Sequence, residues 1–166
     1  MSVLLSIPIL GIIAVLQSAV VSRLPLNSGT ADLMLVLLVA IALQKGMKTA
    51  WQWSVVGGLL TDFISGLPFG IFTFSYLLVT ALAVVLRERI WRFSFLMQLL
   101  VVLVGTVVSH GLAYLVLFIQ GSTLEIASVL RLITMPSIIL NFMLSLPVFI
   151  LTRDVMEGFI PQEYNA

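Results

Sequence analysis

From Phe93 to Leu124 the chain carries no formal charge, and between Lys48 and Arg87 it carries only one, Asp62. A helix that spans a bilayer needs about 20 consecutive apolar residues, so stretches of this kind select lipid rather than water as their solvent. Composition agrees: 61% of the 166 residues are hydrophobic, 9% are charged, and the mean hydropathy is +1.22. A soluble globular domain is excluded on those figures, and the chain reads as an integral membrane protein. The net charge of +1 and the lack of a basic stripe outside short loops exclude nucleic acid as a partner. With no cysteine there is no disulfide and no thiolate metal site.

Turn-forming and charged residues divide the chain into six apolar segments, about 3–22, 30–44, 49–63, 68–87, 93–120 and 125–151, which predict an all-α six-helix transmembrane bundle occupying 1–166 as one domain. The first 22 residues lack the basic start of a cleavable signal peptide and read as a retained helix. Asp32 stands where the second segment begins, as an N-terminal cap or first-turn acid. Pro136 and Pro147 fall inside the sixth segment, and each frees a carbonyl that needs a donor nearby. With the N-terminus in the cytoplasm, six of the eight basic residues, Lys45, Lys48, Arg87, Arg89, Arg92 and Arg153, face inward. Both termini are then cytoplasmic, Asp62 is external, and Trp51, Trp53 and Trp91 read as interfacial anchors.

Small residues recur at every fourth position on several segments: Ala14, Ser18 and Ser22; Ala50, Ser54 and Gly58; Gly105, Ser109 and Ala113; Ser137, Asn141 and Ser145. That spacing puts each set on one helix face, where backbones can approach closely. Packing within the bundle is one use of such a face; docking of a partner's helix is another, and the terminal first helix is the best placed for it. Asp62 extends the stripe of the third helix. It either accepts hydrogen bonds from the free N–H groups that open the fourth helix, with Gly66 and Gly70 freeing the turn, or offers an anionic contact to a partner. His110, the single histidine, lies mid-helix and pairs with a neighbouring helix, at Asn141 or Gln17, or relays a proton as an intramembrane polar site with Asn141. Arg131 either reaches the outer interface or pairs with Asp62. No catalytic motif and no metal-ligand cluster is present, so neither an enzyme nor a cofactor is expected.

The stretch Gly58-Leu59-Leu60-Thr61-Asp62-Phe63-Ile64-Ser65-Gly66-Leu67-Pro68-Phe69-Gly70, continuing through Phe74-Ser75-Tyr76-Leu77, resembles the glycine, aspartate, glycine pattern of the bacterial rod shape-determining family MreD. The run Arg89 to Gln98 is similar to that family's junction between the fourth and fifth helices. The resemblance implies a non-enzymatic subunit of the elongation (rod) machinery in the bacterial inner membrane, supporting lateral peptidoglycan synthesis. It implies MreC, a single-span membrane protein, as the direct partner. MreB filaments, the RodA glycosyltransferase and its transpeptidase follow indirectly, and a homodimer is left open. Asp62, Gly58, Gly66, Gly70, Ala14, Ser18 and Ser22 are the candidate partner-binding residues. The family's fold is similar to the substrate-binding S-components of energy-coupling-factor vitamin transporters, which supplies the alternative function. That alternative requires an outward pocket with several polar groups.

Overall fold

The computed structural model describes residues 6–19, 26–44, 47–89 and 94–159. These form six helices: α1 (Ser6–Ala19), α2 (Leu33–Ala42), α3 (Ala50–Ser65), α4 (Ile71–Arg89), α5 (Ser94–Ile119) and α6. The last is built from Ile126–Val129, a π-helical turn Leu130–Thr134 and Met135–Phe159. Three are long and apolar enough to cross a membrane, over Ile71–Arg89, Phe95–Ile119 and Ile126–Val155. The all-α membrane bundle expected from sequence is what the described residues form. Their outward faces are apolar, with Ile12 and Val15 on α1, Leu78 and Val85 on α4, Leu103 and Val107 on α5, and Ile139 and Met143 on α6 all exposed.

α2 is the axis of the bundle. Its sequence, LMLVLLVAIA, is apolar on every face, the pattern of a helix with no solvent side. It touches all five other helices, and Met34, Leu35, Val36, Leu38, Val39, Ala40, Ile41 and Ala42 are buried. Ten residues at about 1.5 Å each give a rod of about 15 Å, half the hydrocarbon thickness of a bilayer. Both polar ends of α2 therefore lie among other helices, where water cannot satisfy their N–H and C=O groups. Side chains of the surrounding helices meet that demand. At the C-terminal end Arg87 of α4 donates to the carbonyls of Ala42 (2.9 Å), Gln44 (2.8 Å) and Met47 (3.4 Å). A guanidinium there also opposes the negative end of the helix dipole.

The remaining helices pack mainly on sequence neighbours, α3 on α4, α4 on α5 and α5 on α6, while α1 reaches past α2 to pack on α3. Trp53, expected from sequence as an interfacial anchor, is instead 2% exposed and part of the core. It belongs to the inward face of α3 that also carries Ala50, Ser54 and Gly57, whereas Trp51 is exposed. Pro136 shows how α6 solves the problem its ring creates. Pro136 has no N–H to give to Leu132 four residues back, and the Leu132 carbonyl takes the N–H of Ser28 at 3.1 Å. The loop before α2 is thereby stitched to the π turn, and the fit is close: a Cβ on Gly29 would lie 2.6 Å from the Ile133 carbonyl oxygen.

Candidate functional site

Asp32 and Asp62 lie at one end of the bundle, here the aspartate end; Arg87 marks the other. At the corner between α3 and α4, Gly66 stops α3 in the left-handed conformation (φ 67°) and Gly70 takes φ 98°, both of which a side chain disfavours. The chain turns back so that Asp62, in the last turn of α3, faces the start of α4. One carboxylate oxygen accepts from the Phe72 N–H (2.9 Å), the other from the Thr73 N–H (3.1 Å) and the Thr73 hydroxyl (2.6 Å). Asp62 is 4% exposed. Gly58, one helical turn earlier, makes the approach possible: a Cβ there would lie 2.4 Å from the Cα of Thr73. Glycine and aspartate thus act on the same residue of α4, one by yielding space and the other by capping.

The N-terminus of α2 is met by a wider set. The Asp32 side chain accepts from the Leu35 N–H at 2.9 Å and from the Tyr76 hydroxyl of α4, which lies 2.9 and 2.8 Å from its two oxygens. The Met34 N–H donates to Gln17 Oε1 of α1 (2.9 Å), the Asp32 N–H to Asn141 Oδ1 of α6 (2.6 Å), and the Thr30 N–H to the Ser137 hydroxyl (3.1 Å). Asn141 then passes its amide on to Thr106 of α5 at 2.8 Å. Three helices, α1, α4 and α6, thus bond the start of α2, and α5 joins them through Asn141.

From Asn141 a polar seam runs along α5 and α6. Gln98 donates to the Ser145 carbonyl (3.1 Å), Asn141 reaches Thr106, and His110 Nδ1 lies 3.1 Å from the Thr134 hydroxyl in the π turn. His110 therefore bonds a neighbouring helix, with Thr134 as its partner where the sequence pointed to Asn141 or Gln17. Asn141 and Gln17 serve α2 instead. His110 and Asn141 lie on one seam but share no bond. Arg131 is exposed, and the Asp62 carboxylate is engaged by α4 rather than by Arg131. The one ion pair among the described residues joins Arg153 to Asp154.

The small-residue face of α1 divides. Ala14 is buried beneath the contact of α1 with its neighbours, Ser18 is exposed with its hydroxyl turned to the Val15 carbonyl (3.1 Å), and Ser22 lies outside the described residues. Between α1, the loop before α2 and the α3–α4 corner is a recess of about 290 Å³ bordered by Gln17, Ser18, Thr30, Thr61, Ser65 and Phe72, with Ala14, Ile64 and Leu67 completing its wall. Next to it the corner displays Phe63 (77% exposed) and Phe69 (62% exposed), packed edge to face with centroids 5.1 Å apart. Sequence reasoning passed over this pair because in an apolar chain two more phenylalanines carry no signal. Their position beside Asp62 and Gly70 was the only clue.

Among the described residues no group of histidine, cysteine, aspartate and glutamate side chains is placed to hold a metal ion. The family model described as rod shape-determining protein MreD matches residues 1–155. No curated protein and no solved structure matches the chain.

Proposed function

The chain belongs to the rod shape-determining protein MreD family, and from that premise we propose that it is a non-enzymatic scaffold of the rod complex that binds the single-span protein MreC. Through MreC it would act with MreB filaments, RodA and its transpeptidase in lateral peptidoglycan synthesis. In this reading the chain sits in the bacterial inner membrane with both termini cytoplasmic, and the aspartate end faces outward. The observation that carries the scaffold reading is how the aspartate end uses its polar groups. Asp32, Asp62, Tyr76, Gln17 and Asn141 are joined to helix termini and to one another, which fixes a surface rather than supplying reactive groups. Partner contact would come from the α3–α4 corner built on Gly58, Asp62, Gly66 and Gly70, and from the adjoining face of α1 with Ser18 and Ser22.

The test is co-purification in mild detergent of the full chain with co-expressed MreC, followed by native mass spectrometry. A stable heteromeric complex is the expected result; recovery of the chain without MreC would defeat the proposal. The vitamin-binding alternative predicts a retained small molecule in the same spectra. Its outward pocket would have to use the recess near Ser18 and Thr61, whose walls, among the described residues, carry hydroxyls and one amide but no charge.

A further inference from the structure

Ser109 and His110, neighbours on α5, border a second cavity of about 220 Å³, closed by the α3–α4 corner on one side and the first turns of α6 on the other. Leu67, Phe72, Leu117, Val129 and Ile133 make most of its wall apolar. Elsewhere in the bundle, buried hydroxyls spend their hydrogen on the carbonyl one turn back: Ser54 on Ala50, Thr61 on Gly57, Ser75 on Ile71, Thr106 on Val102 and Ser145 on Asn141. Ser109 does not. It is 2% exposed and its Oγ has no hydrogen-bond partner, a costly state for a buried hydroxyl.

His110 supplies a second uncommitted hydrogen. Its Nδ1 lies 3.1 Å from the Thr134 hydroxyl, and Thr134 is 3% exposed. A neutral imidazole donates from one nitrogen and accepts at the other. With the proton on Nδ1, the buried Thr134 hydroxyl would have no acceptor for its own hydrogen. Thr134 therefore donates to Nδ1 and the imidazole proton sits on Nε2, which has no partner among the described residues. Tyr114, the other polar side chain on the described wall, commits its hydrogen to the Leu124 carbonyl at 3.3 Å.

An apolar cavity with free hydrogens on His110 Nε2 and Ser109 Oγ selects an acceptor. The Ser109 hydroxyl could also accept, but the Nε2–H group can only donate. Both residues lie within the apolar span Phe95–Ile119, where an anion would forfeit its hydration at great cost and a neutral carbonyl at little. The volume is below the roughly 300–1,000 Å³ of sites that enclose a whole small molecule, so it suits the carbonyl-bearing part of a larger molecule whose remainder lies in lipid. We propose that this cavity binds a membrane-dissolved molecule through a neutral carbonyl oxygen that accepts from His110 Nε2 and Ser109 Oγ. The ester of a glycerolipid and the ring carbonyl of an isoprenoid quinone share that chemistry. The site stands independently of the partner reading above.

The experiment purifies the full chain in mild detergent with extensive washing. Native mass spectrometry then counts retained molecules, and mass spectrometry of an organic extract separates glycerolipid from quinone. Ala113→Trp fills the cavity from its wall, and Leu115→Trp places the same bulk at an exposed α5 position outside it. Ser109→Ala removes one donor and little volume. The expected result is one retained glycerolipid or quinone per chain, kept by Leu115→Trp and reduced about tenfold by Ala113→Trp and by Ser109→Ala. No retained molecule, a retained molecule without a carbonyl, or retention by Ala113→Trp equal to that of Leu115→Trp overturns the proposal. Should Ala113→Trp aggregate on gel filtration, Ser109→Ala decides. Retention equal to wild type, with a raised melting midpoint from deleting an unpaired hydroxyl, would mean that nothing binds there.

Discussion

Asp62 and Asp32 use the same chemistry, a carboxylate on the free N–H groups of a helix start, for different structural ends. Asp62 belongs to the helix before the one it caps, so it ties α3 to α4 across a turn of a few residues that sequence adjacency already holds together. Asp32 caps its own helix, but Tyr76 brings in α4, and the flanking bonds from Gln17 and Asn141 bring in α1 and α6. Those helices are far apart in the chain. A short-range cap fixes a corner, whereas the Asp32 cluster determines which helices surround α2. Asp62 is itself the more buried carboxylate, but the residues the two satisfy differ in access to water: Leu35 and Tyr76 are buried, while Phe72 and Thr73 are half-buried.

This comparison breaks first at Asp32. Replacing it by alanine strands the Leu35 N–H and the Tyr76 hydroxyl in an enclosed site, at about 1–3 kcal/mol for each unpaired group. We expect a loss of about 3 kcal/mol or more, read as a large fall in the thermal midpoint of detergent-purified protein by fluorescence-detected gel filtration. Asp32→Asn keeps an acceptor for the Leu35 N–H and should recover much of the loss. Tyr76→Phe removes one donor and its bonds to the carboxylate, and should cost about 1–2 kcal/mol.

Asp62→Ala strands three donors rather than two, yet the expected loss is smaller, about 1–2 kcal/mol, because Phe72 and Thr73 are only half-buried and water can take the place the buried carboxylate leaves. The same melting assay checks it. If Asp62→Ala lowers the midpoint as much as Asp32→Ala does, enclosure is not what separates the two sites and the comparison fails. Partner recovery measured on the same preparations keeps a fold defect apart from an interface defect.

Much of this was legible in the sequence, and the illegible part has a common physical cause. Hydropathy gave the membrane class and the helical content, the position of Asp32 before an apolar run gave its cap, and Pro136 announced a freed carbonyl. Each is a local signal. The partners are not local: Ser28 for Leu132, Thr134 for His110, Asn141 for the Asp32 N–H, and Arg87 for the end of α2 all join residues that only packing brings together. Trp53 illustrates the same limit, since Trp51 and Trp53 stand beside the same basic turn but face opposite ways on α3. In a soluble protein the apolar side of a helix is the buried side. Here every side is apolar, so the pattern that normally says which face points inward is absent.

Gly66 offers the smallest and most specific test of the corner. An added Cβ would meet nothing within 4 Å, so the whole cost of Gly66→Ala lies in the backbone, which sits at φ 67°. Left-handed conformation costs a residue with a Cβ about 1 kcal/mol relative to glycine. Gly66→Asn should cost less, since asparagine tolerates that region. Gly58→Ala sharpens the contrast, because there the backbone is helical and the entire penalty is the collision with Thr73 at 2.4 Å. Melting midpoints that rank Gly66→Asn above Gly66→Ala, with Gly58→Ala lowest, would show that the glycines on either side of Asp62 serve separate ends. One shapes the turn, and the other lets α4 come close enough for the carboxylate to reach it. Equal penalties for Gly66→Asn and Gly66→Ala would instead mean that the turn does not require a left-handed residue at that position.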